Sequence, residues 1–267
     1  MMKKILTALS FFLLGLSSAQ AEVYVRGVLR VPGSYRWAHN VPDVEVTREW
    51  WFAKNKMAFI SQGWSLDYNP RWDWRITLDR EKNRLIAVNL SERWYVEISL
   101  DADPLTVLSS ERADYFKIFQ MGGSIEETGE EDIILDRNCA VFRVEEWIDV
   151  NKADRFYHLE RTMKLTKDIP FPWRIFEELR RWLTAFFNPD EDLVKRWSGL
   201  EGFILAEDVL LFEVAGKLSW SFRVEEINEK HPPAGIFDIP ENFQKRKTMT
   251  PVELREMFGM LYPEPIY

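Results

Sequence analysis

Residues 72–79, WDWRITLD, alternate strictly between apolar and polar side chains. Successive side chains of a β-strand point to opposite faces of the sheet, so this pattern predicts a strand with one buried and one solvent-exposed face. The apolar positions are Trp72, Trp74, Ile76 and Leu78, and the polar positions are Asp73, Arg75, Thr77 and Asp79.

The same alternation recurs along most of the chain. Residues 44–52 place Val44, Val46, Trp50 and Phe52 on one face, and residues 218–225 place Leu218, Trp220, Phe222 and Val224 on one face. These repeats predict a mainly β protein of about eleven strands. The other predicted strands are residues 23–31, 56–61, 84–90, 93–100, 131–136, 139–150, 155–166 and 202–213.

Helical insertions are predicted at three places. Residues 103–121 begin with Asp103 as N-cap and Pro104 in the first turn, and Gly122-Gly123 is a stop signal. A short helix over about 190–198 is predicted to follow the cap Asp190 and to end at Gly199.

The third insertion, FPWRIFEELRRWLTAFF at residues 171–187, is amphipathic. Its apolar stripe predicts a helix that closes over the sheet like a lid. The stripe consists of Trp173, Phe176, Leu179 and Leu183, with Phe186 or Phe187.

A proline-rich strap, PPAGIFDIPENFQK at residues 232–245, follows the last predicted strand. Prolines lack the backbone N–H that a strand needs, so this segment is expected not to extend the sheet but to blunt its edge. Phe237 and Ile239 are expected to press onto the last strand while Asp238 faces water. Residues 248–267 then form a C-terminal tail, with a short helix as one possibility.

The amino terminus predicts export. Lys3 and Lys4 precede an apolar run that is too short to span a bilayer, and Ala19-Gln20-Ala21 gives a cleavage site after Ala21. Residues 1–21 are therefore expected to be a signal peptide, residues 22–247 a single domain in the periplasm, and the mature protein to lack a membrane anchor. Without Lys3 and Lys4 the net charge changes from −8 to −10, which argues against nucleic acid as a partner.

No pattern of a catalytic, metal or cofactor site is present. Cys139 is the only cysteine, so no internal disulfide can form, and the chain's three histidines lack metal-ligand spacing. The acidic pairs Glu145-Glu146 and Glu225-Glu226 are expected on solvated faces, because neighbours on a strand diverge, and residues 126–132, EETGEED, are expected to form a charged hairpin turn. A non-enzymatic protein without a metal or cofactor is therefore predicted. It is also expected to be a monomer.

Several segments resemble the half-barrel class of lipoprotein carriers (LolA/LolB-like). They are EWWFAKNKMAF at 49–59, ERWYVEISL at 92–100, NCAVFRVEEW at 138–147, WSGLEGFILAED at 197–208 and the ending VEEINEKHPPAGIFDIPENFQK at 224–245. The resemblance covers most of residues 22–247. It implies a strongly curved, open antiparallel half-barrel of about eleven strands with two or three helices on its concave side.

The chain's 12 tryptophans and 18 phenylalanines give this fold an aromatic interior. One hypothesis is a periplasmic carrier or chaperone that binds a lipid or the acyl chain of a lipoprotein and releases it by movement of the lid. The alternative is an envelope protein-interaction or stress-sensing module whose interior is filled. The predicted ligand-binding residues are Trp50, Phe52, Phe59, Trp72, Trp74, Trp173, Phe176, Leu179, Leu183, Trp220 and Phe222.

Overall fold

The computed structural model describes residues 22–32, 43–62, 73–102, 106, 119–150, 154–171, 175, 190–213, 216–250, 253 and 257. These residues form twelve strands and one helix with defined bounds. The strands are β1 (Val23–Val31), β2 (Val44–Ala53), β3 (Lys56–Gln62), β4 (Trp74–Asp79), β5 (Arg84–Asn89), β6 (Trp94–Ser99), β7 (Phe119–Ile134), β8 (Arg137–Val150), β9 (Asp154–Thr166), β10 (Phe203–Glu213), β11 (Gly216–Glu229) and β12 (Gln244–Arg246), and the helix is α1 (Glu191–Gly199).

All twelve strands belong to one open, curved sheet. Its order is β12-β6-β5-β4-β3-β2-β1-β11-β10-β9-β8-β7. Every pairing is antiparallel except that of β12 with β6. The first strand joins the two halves, because β1 pairs with β2 on one side and with β11 on the other. The predicted open antiparallel sheet is confirmed, with twelve strands in place of about eleven.

The predictions for residues 119–136 were wrong in their bounds, whereas Thr106 lies in a 3₁₀ turn within the predicted helix 103–121. Residues 119–121 begin β7 instead of ending a helix, and β7 is far longer than the predicted strand 131–136. Gly122 and Gly123 are a packing site rather than a stop signal. A Cβ on Gly122 would lie 2.6 Å from Nε1 of Trp147, and one on Gly123 would lie 3.1 Å from Cδ1 of Leu193.

The acidic segment EETGEED also lies within β7 and not in a hairpin turn. Pairing with β8 shifts between Glu127 and Glu131, which marks a bulge, and Gly129 within it has φ +76°. The turn follows instead at Leu135 and Asp136, both with positive φ. Gly129 and the clustered acids had suggested a turn, but the bulge accommodates them inside the strand.

Helix α1 confirms the short helix predicted over 190–198. The side chain of Asp190 accepts a hydrogen bond from the backbone N–H of Leu193 at 2.6 Å. Glu191 and Asp192 lie in the first turn, where negative side chains interact favourably with the helix dipole. Residues 103–105, 107–118, 172–174 and 176–189 of the other two predicted helices lie outside the described residues. No helix in the described part of the chain is long and apolar enough to cross a membrane.

Two apolar clusters occupy one face of the sheet, which we call the inner face. Phe222 belongs to the first cluster, and Trp220, two residues before it on β11, packs against both. The cross-strand partner of Trp220 is Val209, a member of the second cluster. Cross-strand partners share a face, so the two clusters form one continuous apolar layer. Leu193 and Trp197 of α1 cover the second cluster.

The strap lies across the opposite, outer face of the sheet. Ile236 and Phe237 pack against a third cluster of Tyr24, Trp51 and residues of β3, not against the last strand as predicted. The strap then ends in β12, whose parallel pairing covers the edge of β6. The expectation that residues 232–245 cannot extend the sheet was therefore wrong at its end. Gln244 and Lys245 lie beyond the last proline and have backbone N–H groups, and that of Gln244 donates to the carbonyl of Arg93 at 3.0 Å.

Arg75 fastens the strap to the sheet. Its Nη1 donates to the carbonyl of Gly235 at 3.3 Å and its Nη2 donates to the carbonyl of Asp238. Arg75 is buried, and burial lowers the pKa of its guanidinium. The polar face predicted for residues 72–79 is thus covered, and Thr77 and Asp79 are buried too.

We expect Arg75→Met to lower the free energy of unfolding by about 1.5–3 kcal/mol, because two charge-assisted hydrogen bonds to the strap are lost. Urea unfolding measures the loss, and limited proteolysis reports faster cleavage within residues 232–240. Arg93→Met is the matched control, since Arg93 is exposed, and it should change stability by less than about 0.5 kcal/mol. Equal stability of the two variants would show that Arg75 does not hold the strap.

Candidate functional site

Aromatic rings from four strands form a continuous network on the inner face. Trp50 of β2 contacts the rings of Phe59, Phe203 and Phe222, with centroid distances of 5.2, 5.8 and 5.6 Å. Phe52 lies next to Trp50 on the same face and contacts Phe203 edge-on at 6.0 Å. The alternation of β2 brings Trp50 and Phe52 together, and the pairing β2-β1-β11 sets Phe222 within reach.

Most predicted ligand-binding residues that the structure describes lie in this network or next to it. Trp50, Phe52, Phe59, Trp74 and Phe222 are between 0 and 7% exposed, and Trp220 is half-buried at the junction of the two clusters. Their role in ligand binding stays a prediction. Trp72, Trp173, Phe176, Leu179 and Leu183 lie outside the described residues.

Three aromatic residues of the inner face were not among the predicted site residues. Phe203 begins β10, Trp94 packs edge-on against Trp74 at 5.3 Å, and Phe171 stacks on Phe52 with ring centroids 3.9 Å apart. Trp94 and Phe203 were open to prediction, since both occupy predicted strands. Phe171 is the first residue of the amphipathic segment, and its neighbours in sequence gave no sign of its partner.

Residues outside the sheet cover the aromatic network. Phe171, Ile175, Met249 and Met257, which we call the inner plug, are all buried in the first apolar cluster. Phe171 contacts both Phe52 and Phe203, the latter edge-on at 5.1 Å. The plug therefore contacts the inner face through apolar side chains from two separate parts of the chain.

A row of charged residues crosses the inner face beside the aromatic network. Arg161 on β9 forms ion pairs with Glu146 on β8 at 2.7 Å and with Glu207 on β10 at 2.6 Å. Trp197 of α1 donates from Nε1 to the other carboxylate oxygen of Glu146 at 3.1 Å. The row ties three strands to the helix in an apolar setting.

Arg48 of β2 lies on the same face as this row. Its guanidinium carbon is 5.8 Å from the centre of the Phe222 ring, and its Nε atom is buried. Burial lowers the pKa of Arg48, while the nearby carboxylate of Glu207 acts in the opposite direction. A cationic group thus stands at the border between the aromatic network and the charged row.

The two acidic pairs differ from the sequence-based expectation. Glu146 is 2% exposed, so it does not lie on a solvated face, although Glu145 points away from it and contacts His158 at 2.9 Å. Glu225 and Glu226 do converge, because a register shift in β11 lets both contact Arg26, at 3.5 and 3.3 Å. In the first pair only Glu146 contacts an arginine, Arg161, whereas in the second pair both carboxylates contact Arg26.

Cys139 is buried, and burial raises the pKa of its thiol. Within the described ranges, no group of three or more His, Cys, Asp or Glu side chains could hold a metal ion.

Comparison with known proteins leaves the family open. No family model and no curated protein matches the sequence. Among solved structures, PNGF-II aligns at 10% identity and a TM-score of 0.38 over 90% of this chain, and the chain spans 33% of its length. MucB aligns at 14% identity and a TM-score of 0.32. The alignment covers 88% of this chain and 64% of the MucB chain. An outer membrane lipoprotein-sorting protein domain from Vibrio parahaemolyticus aligns at 6% identity and a TM-score of 0.31. The alignment covers 85% of this chain and 94% of that domain. Likeness at these scores carries no functional argument.

Proposed function

We propose that the protein is a periplasmic carrier or chaperone that binds the acyl chain of a lipid or lipidated protein on its aromatic inner face. The observation that carries the proposal is the stacking of Phe171 on Phe52, together with the burial of the whole inner plug. An apolar face that is covered by segments from outside the sheet can exchange that cover for another apolar chain. In this closed form the plug takes the place of the ligand.

The energies of the two occupants are comparable. Burying the four plug side chains contributes about 6–12 kcal/mol gross, at about 1.5–3 kcal/mol each. An acyl chain that buries about ten methylene groups contributes about 8 kcal/mol gross. Because displacement of the plug offsets most of the ligand's gain, the exchange is nearly balanced, and a bound chain can also leave. This is the energetic requirement of a carrier.

The predicted signal peptide, residues 1–21, lies outside the described residues and supports a periplasmic location for the proposed carrier. The acidic net charge of the exported chain disfavours nucleic acid and anionic lipid surfaces. The proposed partner is therefore a hydrophobic chain that enters the inner face, and the proposed working form is a monomer.

The test is to purify the protein natively from the periplasm and to identify bound small molecules by mass spectrometry. We expect an amphiphile with an acyl chain to co-purify, and we expect the delipidated protein to rebind a long-chain fatty acid in calorimetry. A preparation with no acyl compound, which also fails to bind fatty acid after delipidation, would refute the carrier proposal.

A second candidate is an envelope protein-interaction or stress-sensing module with a permanently filled interior. The observation that favours it is the low exposure of Trp50, Phe52 and Phe222, none above 6%. In that case the plug is part of a fixed core, and loosening it lowers stability without creating affinity for acyl chains. The response of fatty-acid binding to plug mutations separates the two candidates.

A further inference from the structure

The two edges of the sheet differ in how they end. At one edge, β12 pairs with the outer side of β6. The strand β12 follows the strap in the same chain, so the protein covers this edge itself. At the other end, β7 is the last strand of the order, and no strand in the described part of the chain pairs with its outer side. An edge strand presents a row of N–H and C=O groups that a further strand can pair with.

A hydrogen bond from α1 identifies which groups of β7 point outward. The carbonyl of Met121 accepts from the backbone N–H of Asp190 at 2.9 Å, and Asp190 lies beyond the edge and not on β8. In an antiparallel ladder, alternate residues direct both backbone groups to the same side. Gly123, Ile125 and Glu127 therefore direct their N–H and C=O groups outward. Leu193 of α1 lies over Gly123, and Ile125 and Glu127 follow it along the strand.

Charge selects the partner of this edge. Glu126, Glu127, Glu130 and Glu131 are exposed along β7. Arg143, the cross-strand partner of Glu126, forms an ion pair with Glu130 at 3.7 Å and is the cation that the described contacts place beside these four glutamates. Two copies of this edge would place carboxylates opposite carboxylates, which is destabilising in a sheet. A second copy of this acidic chain is therefore disfavoured, whereas a strand rich in Lys or Arg gains from every cross-strand pair.

The hairpin tip beyond the acidic segment adds an apolar contact. Ile133 is 67% exposed and Leu135 is 41% exposed, and they are the exposed large hydrophobic residues of the described part of the chain. Leu135 has φ +51°, a conformation unfavourable for a residue with a branched side chain. The fold leaves much of both side chains exposed, whereas a partner strand that continues past the bulge would cover both.

We propose that the outer edge of β7 is a docking site for an extended, basic segment of another protein, which adds a strand to the sheet. Backbone hydrogen bonds at Gly123, Ile125 and Glu127 supply the binding, the glutamates select basic side chains, and Ile133 with Leu135 anchors the segment's end. The site is separate from the inner face and does not depend on acyl-chain binding.

The probe is a fluorescein-labelled peptide of alternating Lys and Val, about nine residues long, which matches an ordinary strand. We expect the full-length protein to bind it with an affinity that falls as salt rises, and to leave the same peptide with Glu in place of Lys unbound. Equal binding of the two peptides, or a protein that self-associates through this edge in sedimentation, would overturn the proposal.

Two substitutions at one position separate backbone pairing from charge. Glu127→Pro removes an outward N–H that β8 does not use, a position at which an edge strand tolerates proline. It should weaken peptide binding about tenfold, whereas Glu127→Gln, which keeps the N–H and removes only the charge, should weaken it about two- to threefold. Equal losses in both variants would contradict the pairing.

Two further measurements do not depend on the folding of the proline variant. Leu135→Gly suits the positive φ and removes the apolar tip, so it should weaken binding about threefold with the fold intact. In the wild-type protein, amide hydrogen exchange at Gly123, Ile125 and Glu127 should slow on peptide binding, while the amides of Ser124 and Glu126 are protected in the free protein. Unchanged exchange at the three outward amides would refute the site.

Discussion

Replacing Arg161 with methionine should lower the free energy of unfolding by about 3–5 kcal/mol. Arg161 is the only cation that the described contacts place between Glu146 and Glu207, at 2.7 and 2.6 Å, and Glu146 is 2% exposed. Without the guanidinium, Glu146 and Glu207 lose their shared ion-pair partner in an apolar layer, where Glu146 keeps one hydrogen bond from Trp197 and Glu207 keeps the nearby charge of Arg48. The loss is measured by urea unfolding at neutral pH.

Arg26→Met is the matched control, because Arg26 also contacts two carboxylates, those of Glu225 and Glu226, but is 40% exposed. Solvent screens an exposed ion pair, so this variant should lose no more than about 1 kcal/mol. Adding Glu146→Gln and Glu207→Gln to Arg161→Met should restore part of the stability by removing the stranded charges. Similar losses for Arg161→Met and Arg26→Met would mean that burial does not govern the charged row.

Phe171→Ala should have two opposite effects. Loss of a buried ring stacked on Phe52 should lower the free energy of unfolding by about 3 kcal/mol. If the plug competes with the ligand, a weaker plug should also tighten the binding of a long-chain fatty acid, by up to about a hundredfold for a loss of about 2.7 kcal/mol in plug binding. Chemical denaturation and calorimetric titration measure the two effects on the same preparation.

Phe237→Ala provides the control on the outer face. Phe237 belongs to the strap and packs against Tyr24 and Trp51. Its loss should therefore also lower stability but leave fatty-acid affinity unchanged. A gain in affinity only for Phe171→Ala supports exchange of the plug for ligand. If neither variant binds fatty acid, the inner face is a fixed core and the interaction-module candidate gains.

The alternation of apolar residues was sufficient to predict most strands. Trp50 and Phe52 were correctly placed on one buried face, and Trp74 and Phe222 with them, because side-chain direction in a strand depends only on sequence parity. The cap of α1 at Asp190 was equally local and was confirmed. The arrangement of these residues as an aromatic network required the strand order, which no short pattern specifies.

The failures of prediction share a physical cause, namely partners that are distant in sequence. Gly122 and Gly123 were predicted to end a helix, but they lie in a strand where Trp147 and Leu193 fill the space above them. Arg75 was predicted to be exposed, but the strap covers it. Glu146 was predicted to lie on a solvated face, but Arg161 and Trp197 bind its carboxylate. The odd or even position of a residue in a strand determines the face of the sheet on which it lies. Tertiary contacts determine whether that face is exposed to solvent.

Mapping the position of a bound acyl chain tests the central claim most directly. A fatty acid with a photoactivatable diazirine in its chain is bound to the delipidated protein, irradiated, and located by peptide mass spectrometry. We expect cross-links on β2, β3 and β11 at the inner positions Trp50, Phe59 and Phe222, with more of them in Phe171→Ala. Cross-links confined to the outer face, or equal labelling after denaturation, would contradict the account.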